Sequence, residues 1–347
     1  MTKISRFTLA GIVLSLTLIN ITPSALGQIF VSMPGNGTII QFTANGGTAT
    51  NFASGLNVPE ALAFYSAGLL YLANGNAGTI VKFPLIPTPG GSQTGSAFFS
   101  GLFTPIGLAF NNAGLLYVAN ANGSTIRTYP GGSIFANTGL NTPYGITFDT
   151  SSNLYVANGG DGTIEMFPAS GSPSVFASSM SGLRDVAWNA GVLYVAGGGN
   201  TNSTIFEATA TGNSTGTLHP SAFTGVTDSR GLAFDSAGNL YVASAGGSGN
   251  LTKFSSSGSV LWTVSLGSTP GYVAAQFECA SAVMSIAQYA GVTVAGSIGC
   301  TYRVDYATNL TTPAWVPLTT NTLSSSPYLF IDTNVISGTR FYRAVAQ

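Results

Sequence analysis

Residues 153–167 read NLYVANGGDGTIEMF, and the chain says nearly the same thing elsewhere: LLYLANGNAGTIVKF from Leu69 and LLYVANANGSTIRTY from Leu115. Each copy is an apolar tetrapeptide, a small polar loop and a segment beginning Thr-Ile. Aligned on the aromatic of the tetrapeptide, six copies appear, at Phe30, Tyr71, Tyr117, Tyr155, Tyr194 and Tyr241, spaced 41, 46, 38, 39 and 47 residues apart. A period near 40–45 with four short strands per unit is the sequence signature of a β-propeller.

Working outward, a strand precedes each tetrapeptide: ALAF at Ala61, GLAF at Gly107, GITF at Gly145, DVAW at Asp185 and GLAF at Gly231. A Thr-Ile strand follows it, and a weaker fourth strand ends near FASGL or FFSGL. Gly and Asn in the loops supply the positive φ of tight turns. One such sheet cannot bury both faces, whereas a ring of them can. Residue 28 enters a second strand with no first strand before it, and GYVAAQF from Gly271 is a first strand with no second strand after it. Together they predict six blades, one of them built from both ends of the repeat region. The expected fold class is therefore all-β: a six-bladed propeller over residues 28–278, then a small β-sandwich-like module.

Composition agrees. Only 6% of the 347 residues are charged, with 10 Lys+Arg against 11 Asp+Glu, so no basic nucleic-acid footprint is present. Lys3 and Arg6 precede an apolar run and a small-x-small pattern, which reads as a secretory signal over residues 1–27. That run is short for a spanning helix. A secreted monomer with no membrane span after cleavage is expected, in a compartment that permits disulfides. The two cysteines, Cys279 and Cys300, bracket a small-residue linker at 279–290 and are a possible disulfide.

TPYGITFDTSSNLYVANGGDGTIEMF and DSRGLAFDSAGNLYVASAGGSGNLTKF resemble NHL-type propeller repeats, a superfamily that includes gluconolactonase-like proteins. In gluconolactonase-like enzymes Pro-Asn-Gly and Pro-Asp-Gly turns and an early Glu hold a divalent cation. The equivalent turns here read PYG with Tyr144 and SRG with Arg230, and only Glu60 matches as a carboxylate. Arginine has no lone pair to offer a cation. No metal, cofactor or catalytic residue is expected. Lyase-type propellers of the superfamily need a His near the channel, and the single histidine, His219, falls in an outer part of its repeat.

The resemblance puts ligands where inner strands enter the channel. The corresponding positions are Glu60, Ile106, Tyr144, Arg184, Arg230 and Gly271, with Asp185 one place on. Glu60, Tyr144, Arg184, Asp185 and Arg230 are the candidate ligand-binding set. Either the two arginines grip an anionic group, or the four charges pair with one another and plug the channel. Asp149 and Asp235 end inner strands and read as acceptors for turn amides. The C-terminal residues 291–347, with TYRVDY and RFYR, resemble a short module of secreted bacterial proteins; Arg340 and Arg343 there suit packing on Tyr302, Tyr306 and Trp315. The expected function is binding of a protein, peptide or glycan at the channel face. A hydrolase or lactonase for a small acidic or sugar-derived substrate is the alternative, and a structural envelope role a third.

Overall fold

The computed structural model describes residues 4–9, 12–17, 28–47, 49–65, 69–84, 92–197, 204–209, 217–276, 283–286, 291–295, 301–307, 314–322, 328–331 and 341–346. The proposed cleavage site, Cys279, Cys300 and Arg340 lie outside these residues. The chain divides into two compact units, Gly27–Glu278 and a second made of Met1–Leu26 with Cys279–Gln347.

The larger unit is an all-β propeller. Its described residues form six four-stranded antiparallel sheets. Five run in simple sequence order, such as Pro143–Phe148, Leu154–Asn158, Thr163–Phe167 and Ser174–Ala177. In the sixth, Val273–Ala275 pairs with Gln28–Met33, which continues to Thr38–Thr43 and Thr50–Ala53. The first strand of each sheet lies against that of the next, and Val273–Ala275 lies against Pro59–Tyr65.

The repeated tetrapeptide explains how the sheets hold together. Successive residues of a strand face opposite ways, and Leu154–Asn158 is buried throughout. Tyr155 and Ala157 join a cluster with Val186 and Leu193 of the following sheet. Leu154 and Val156 pack instead with Tyr117 and Ala119 of the preceding one. The tetrapeptide aromatic meets the last aromatic of the next inner strand again and again. Ring centroids are 5.5 Å apart for Phe30–Phe64, 5.1 Å for Tyr71–Phe110, 4.9 Å for Tyr117–Phe148, 5.6 Å for Tyr155–Trp188 and 4.9 Å for Tyr194–Phe234. Such pairs add about 0.5–1.5 kcal/mol each beyond their buried area.

The turns are built as the sequence implies. Asp149 accepts the backbone amides of Ser151 and Asn153 at 2.9 and 2.8 Å, and Asp235 accepts those of Ala237 and Asn239 at 3.0 and 2.8 Å.

The second unit is also built of strands. Ile4–Leu9 and Ile12–Thr17 pair as an antiparallel hairpin. Val283–Ile286, inside the segment read as a linker, is a strand paired with Gly291–Ala295, so part of that linker belongs to a sheet with Tyr328–Ile331. A second three-stranded sheet places Thr301–Ala307 between Val316–Thr322 and Phe341–Ala346. There the buried Asp305 takes Arg303 Nε at 2.6 Å and Arg343 Nε at 2.8 Å, and Arg343 stacks over Trp315 at 4.5 Å. These bonds hold the Asp305 carboxyl below its ordinary pKa. Arg343 is thus a packing residue.

Candidate functional site at the channel mouth

The Pro-x-Gly turn has a steric cause. A β-carbon on Gly107 would lie 2.0 Å from the Tyr144 carbonyl oxygen, and one on Gly231 would lie 2.6 Å from Tyr272 Cα. Neighbouring inner strands therefore approach closely because the third residue of the turn has no side chain. The ladder registers shift between Pro59 and Leu62, Pro105 and Leu108, and Pro143 and Ile146. Such a bulge re-aims the middle residue of the turn, which is Glu60, Ile106 or Tyr144.

Two repeats break the pattern. Aligned on the glycine, the third positions read Ala61, Gly107, Gly145, Asp185, Gly231 and Tyr272. Asp185 and Tyr272 put polar side chains where the other sheets have room for almost none. Asp185 is buried; its Oδ2 accepts Leu232 N–H and its Oδ1 accepts Val186 N–H, both at 2.9 Å. Burial pushes its pKa up to about 8 against these two amide bonds. Tyr272 is also buried, and its hydroxyl donates to the Arg184 carbonyl oxygen at 3.2 Å. It thus reaches from the sixth sheet to the fourth. Its own backbone is clamped by Ser32, whose hydroxyl accepts the Tyr272 amide at 2.8 Å. Burial, with Asp185 and Glu60 nearby, keeps the phenol protonated well above the ordinary range.

The charged candidates do not pair with one another. Arg184 lies over the Tyr144 ring, 5.3 Å from its centroid, and has no ion-pair partner among the described residues. Arg230 pairs with Asp228 at 3.3 Å, while its Nε is buried without a hydrogen-bond partner among the described residues. Glu60 has neither hydrogen bond nor ion pair among the described residues. Burial raises its carboxyl to about 7, although Arg184 and Arg230 both pull the other way. Glu60, Arg184 and Arg230 thus share one electrostatic environment while each remains without a carboxylate–guanidinium bond to the others.

Sequence reasoning missed Tyr272 and Asp228. Tyr272 was one residue beyond Gly271, the position aligned with the other mouth residues, and its placement in the glycine register was the available signal. Asp228 immediately precedes the turn. Sequence reasoning placed His219 in the outer part of its repeat; it stands in the outermost strand, Thr217–Thr224, opposite Glu207. The residues at the mouth do not suit a divalent cation: Glu60 is a single carboxylate facing two guanidinium groups, and Tyr144 and Arg230 occupy the turns that would supply further donors.

No protein-family profile matches the chain, and no curated protein matches it. Solved structures do. A gluconolactonase from Xanthomonas campestris is similar with 13% identity and a TM-score of 0.53, over 69% of this chain and 83% of that one. A protein of unknown function from Bacteroides caccae is similar with 15% identity and a TM-score of 0.54, over 72% and 99%. A virginiamycin B lyase from Staphylococcus aureus is similar with 15% identity and a TM-score of 0.51, over 82% and 95%. Such likeness establishes the architecture: the chain is a β-propeller of the kind that gluconolactonase-like and lyase proteins also adopt.

Proposed function

We propose that this is a secreted six-bladed propeller, closed by strands from both ends of its repeat region, that binds a carboxylate-bearing ligand at the channel mouth. On this reading residues 1–27 are a leader, 28–278 the binding propeller and the C-terminal residues an accessory module. The observation that carries it is Arg184, whose guanidinium is held over Tyr144 with no ion-pair partner among the described residues. Arg230 supplies a second cation nearby, only partly offset by Asp228. Asp185 holds its proton at neutral pH and so offsets neither. A funnel with surplus positive charge and low-dielectric walls attracts anions.

The alternative, a hydrolase or lactonase, is favoured by one feature. Glu60 has no hydrogen-bond or ion-pair partner among the described residues and its pKa is raised to about 7, as suits a general acid or base. Both readings place the ligand carboxylate on the arginines. The test is thermal shift and calorimetry with sugar acids and small carboxylates on the wild type and on Arg184→Ala. A hydrogen bond to a charged group contributes about 1.5–3 kcal/mol, so the variant should bind roughly ten- to a hundredfold more weakly. Equal affinity for both proteins would remove the mouth from consideration. Turnover of the ligand, lost in Glu60→Gln with binding retained, would select the enzyme.

A further inference from the structure

Of the three repeats with an asparagine after the tetrapeptide, Asn74, Asn120 and Asn158, one departs from the other two on the face where the inner strands enter. Each inner strand there is preceded by a tight turn. Val58, Thr104, Thr142 and Asp228 occupy one repeat position at φ of 55°, 51°, 51° and 50°. Their carbonyl oxygens accept amide bonds from Gly75, Ala121, Gly159 and Ala245 at 2.8–3.1 Å. One residue earlier, the amides of Asn57 and Asn141 are bound by Asn74 Oδ1 and Asn158 Oδ1 at 2.8 and 3.1 Å. In the second repeat this lock is open. Phe103 stands where the other repeats have Asn57, Asn141, Ser181, Thr227 and Ser268. The equivalent acceptor, Asn120 Oδ1, is buried without a partner among the described residues. Phe103 itself is 65% exposed.

An exposed ring and an unsatisfied buried amide at one loop are a local cost with no return inside the protein, and such violations mark functional positions. The loop also borders a groove of about 260 Å³, lined by Gly75, Asn76, Leu102, Phe103, Thr104 and Asn122 among others. The residues lining it carry no charge. Asn122 Nδ2 donates to Thr104 Oγ1 at 2.8 Å, which leaves the Thr104 proton and the Asn122 carbonyl oxygen available. The exposed Asn76 side chain makes no bond among the described residues. The groove adjoins the channel mouth, because a β-carbon on Gly75 would lie 3.3 Å from Glu60 Cγ.

We infer that this groove is a second subsite, which takes a sugar ring of an acidic oligosaccharide whose carboxylate sits at the mouth. The inference rests on the reading of the mouth as a carboxylate site and names its ligand class. A pyranose has an apolar C–H face that packs on an aromatic ring, and a belt of hydroxyls that suits uncharged amides and hydroxyls. That is the combination of Phe103 with Asn76, Thr104 and Asn122. An acidic peptide would want cations along the groove, and the lining has none.

The test is calorimetry on the full chain with monomeric galacturonate, with trimers of galacturonate, guluronate and mannuronate, and with triglutamate. Wild type, Phe103→Ala and Asn76→Ala are compared. Because Phe103 is largely exposed, its replacement should leave the melting temperature unchanged. At least one uronate trimer should bind more tightly than the monomer, and Phe103→Ala should cancel about five- to tenfold of that gain while leaving the monomer's affinity alone. Equal affinity for monomer and trimers, or a gain untouched by Phe103→Ala and Asn76→Ala, overturns the groove and leaves the mouth standing. A Phe103-dependent gain for triglutamate instead of the sugars overturns the glycan assignment. Failure of every carboxylate, monomer included, overturns both the subsite and the mouth.

Discussion

Raising the pH should cost this protein stability through Asp185, and Asp185→Asn should abolish that cost. Burial lifts the Asp185 carboxyl from 3.8 to about 8. Between those values the folded protein keeps a proton that the unfolded chain has released. Stability from this group is therefore full below about pH 4 and is lost as the pH rises through about 8, at up to ~1.4 kcal/mol per unit. From pH 5 to pH 8 the ceiling is about 4 kcal/mol. The two amide bonds from Leu232 and Val186 favour the anion and are already part of that net value; relaxation of the protein around a buried charge brings a realistic figure to about 2 kcal/mol. Asparagine retains a carbonyl acceptor and has no charge to desolvate. For a unit of this size 1 kcal/mol moves the melting temperature by about 2–4 °C. Over that range the wild type should thus lose roughly 4–8 °C more than Asp185→Asn. Glu60 also titrates upward-shifted, but it does so in both proteins and cancels in the difference. The assay is a set of circular-dichroism melts at pH 5, 6, 7 and 8. Parallel curves for the two proteins would refute the assignment of Asp185 as a buried, protonated group.

Gly107→Ala would push a methyl into the Tyr144 carbonyl oxygen 2.0 Å away and should destabilise by about 2–4 kcal/mol in urea unfolding. Asp235→Ala would strip two turn amides and leave Lys253, now 3.4 Å from that carboxylate, without its counter-ion; a loss of about 3 kcal/mol is expected by the same assay. Deleting residues 28–42 would remove the strand that pairs with Val273–Ala275 and the hydroxyl that clamps Tyr272. The truncated chain should not be recovered as a soluble monomer by gel filtration, and an unchanged melting temperature would count against closure of the ring.

The propeller was legible in the sequence because its energetics are periodic. The Leu-Tyr-Val-Ala tetrapeptide must face two neighbouring sheets at once, so Leu154 and Val156 serve one and Tyr155 and Ala157 the other. That demand recurs at every junction and leaves a visible repeat. The site was harder to see because it consists of departures from the repeat. Asp185 and Tyr272 are informative only once Gly145 and Gly231 are known to be small for reasons of strand approach. Phe103 becomes conspicuous only when Asn57 and Asn141 are seen to donate to Asn74 and Asn158. The pairing of Arg230 with Asp228 depends on side-chain direction at a turn, which spacing does not encode. Val283–Ile286 escaped notice because a four-residue strand beside small residues looks like a linker.

The central claim is that a carboxylate binds beside Glu60 on Arg184 and Arg230. An anion placed there must raise the Glu60 pKa further, so binding near pH 7 must draw a proton from solution. Calorimetry in two buffers of different ionisation enthalpy measures that proton directly. The account predicts net proton uptake on binding a sugar acid at pH 7, absent in Glu60→Gln, which should still bind. Binding with no proton uptake by the wild type would place the ligand away from this mouth and contradict the account.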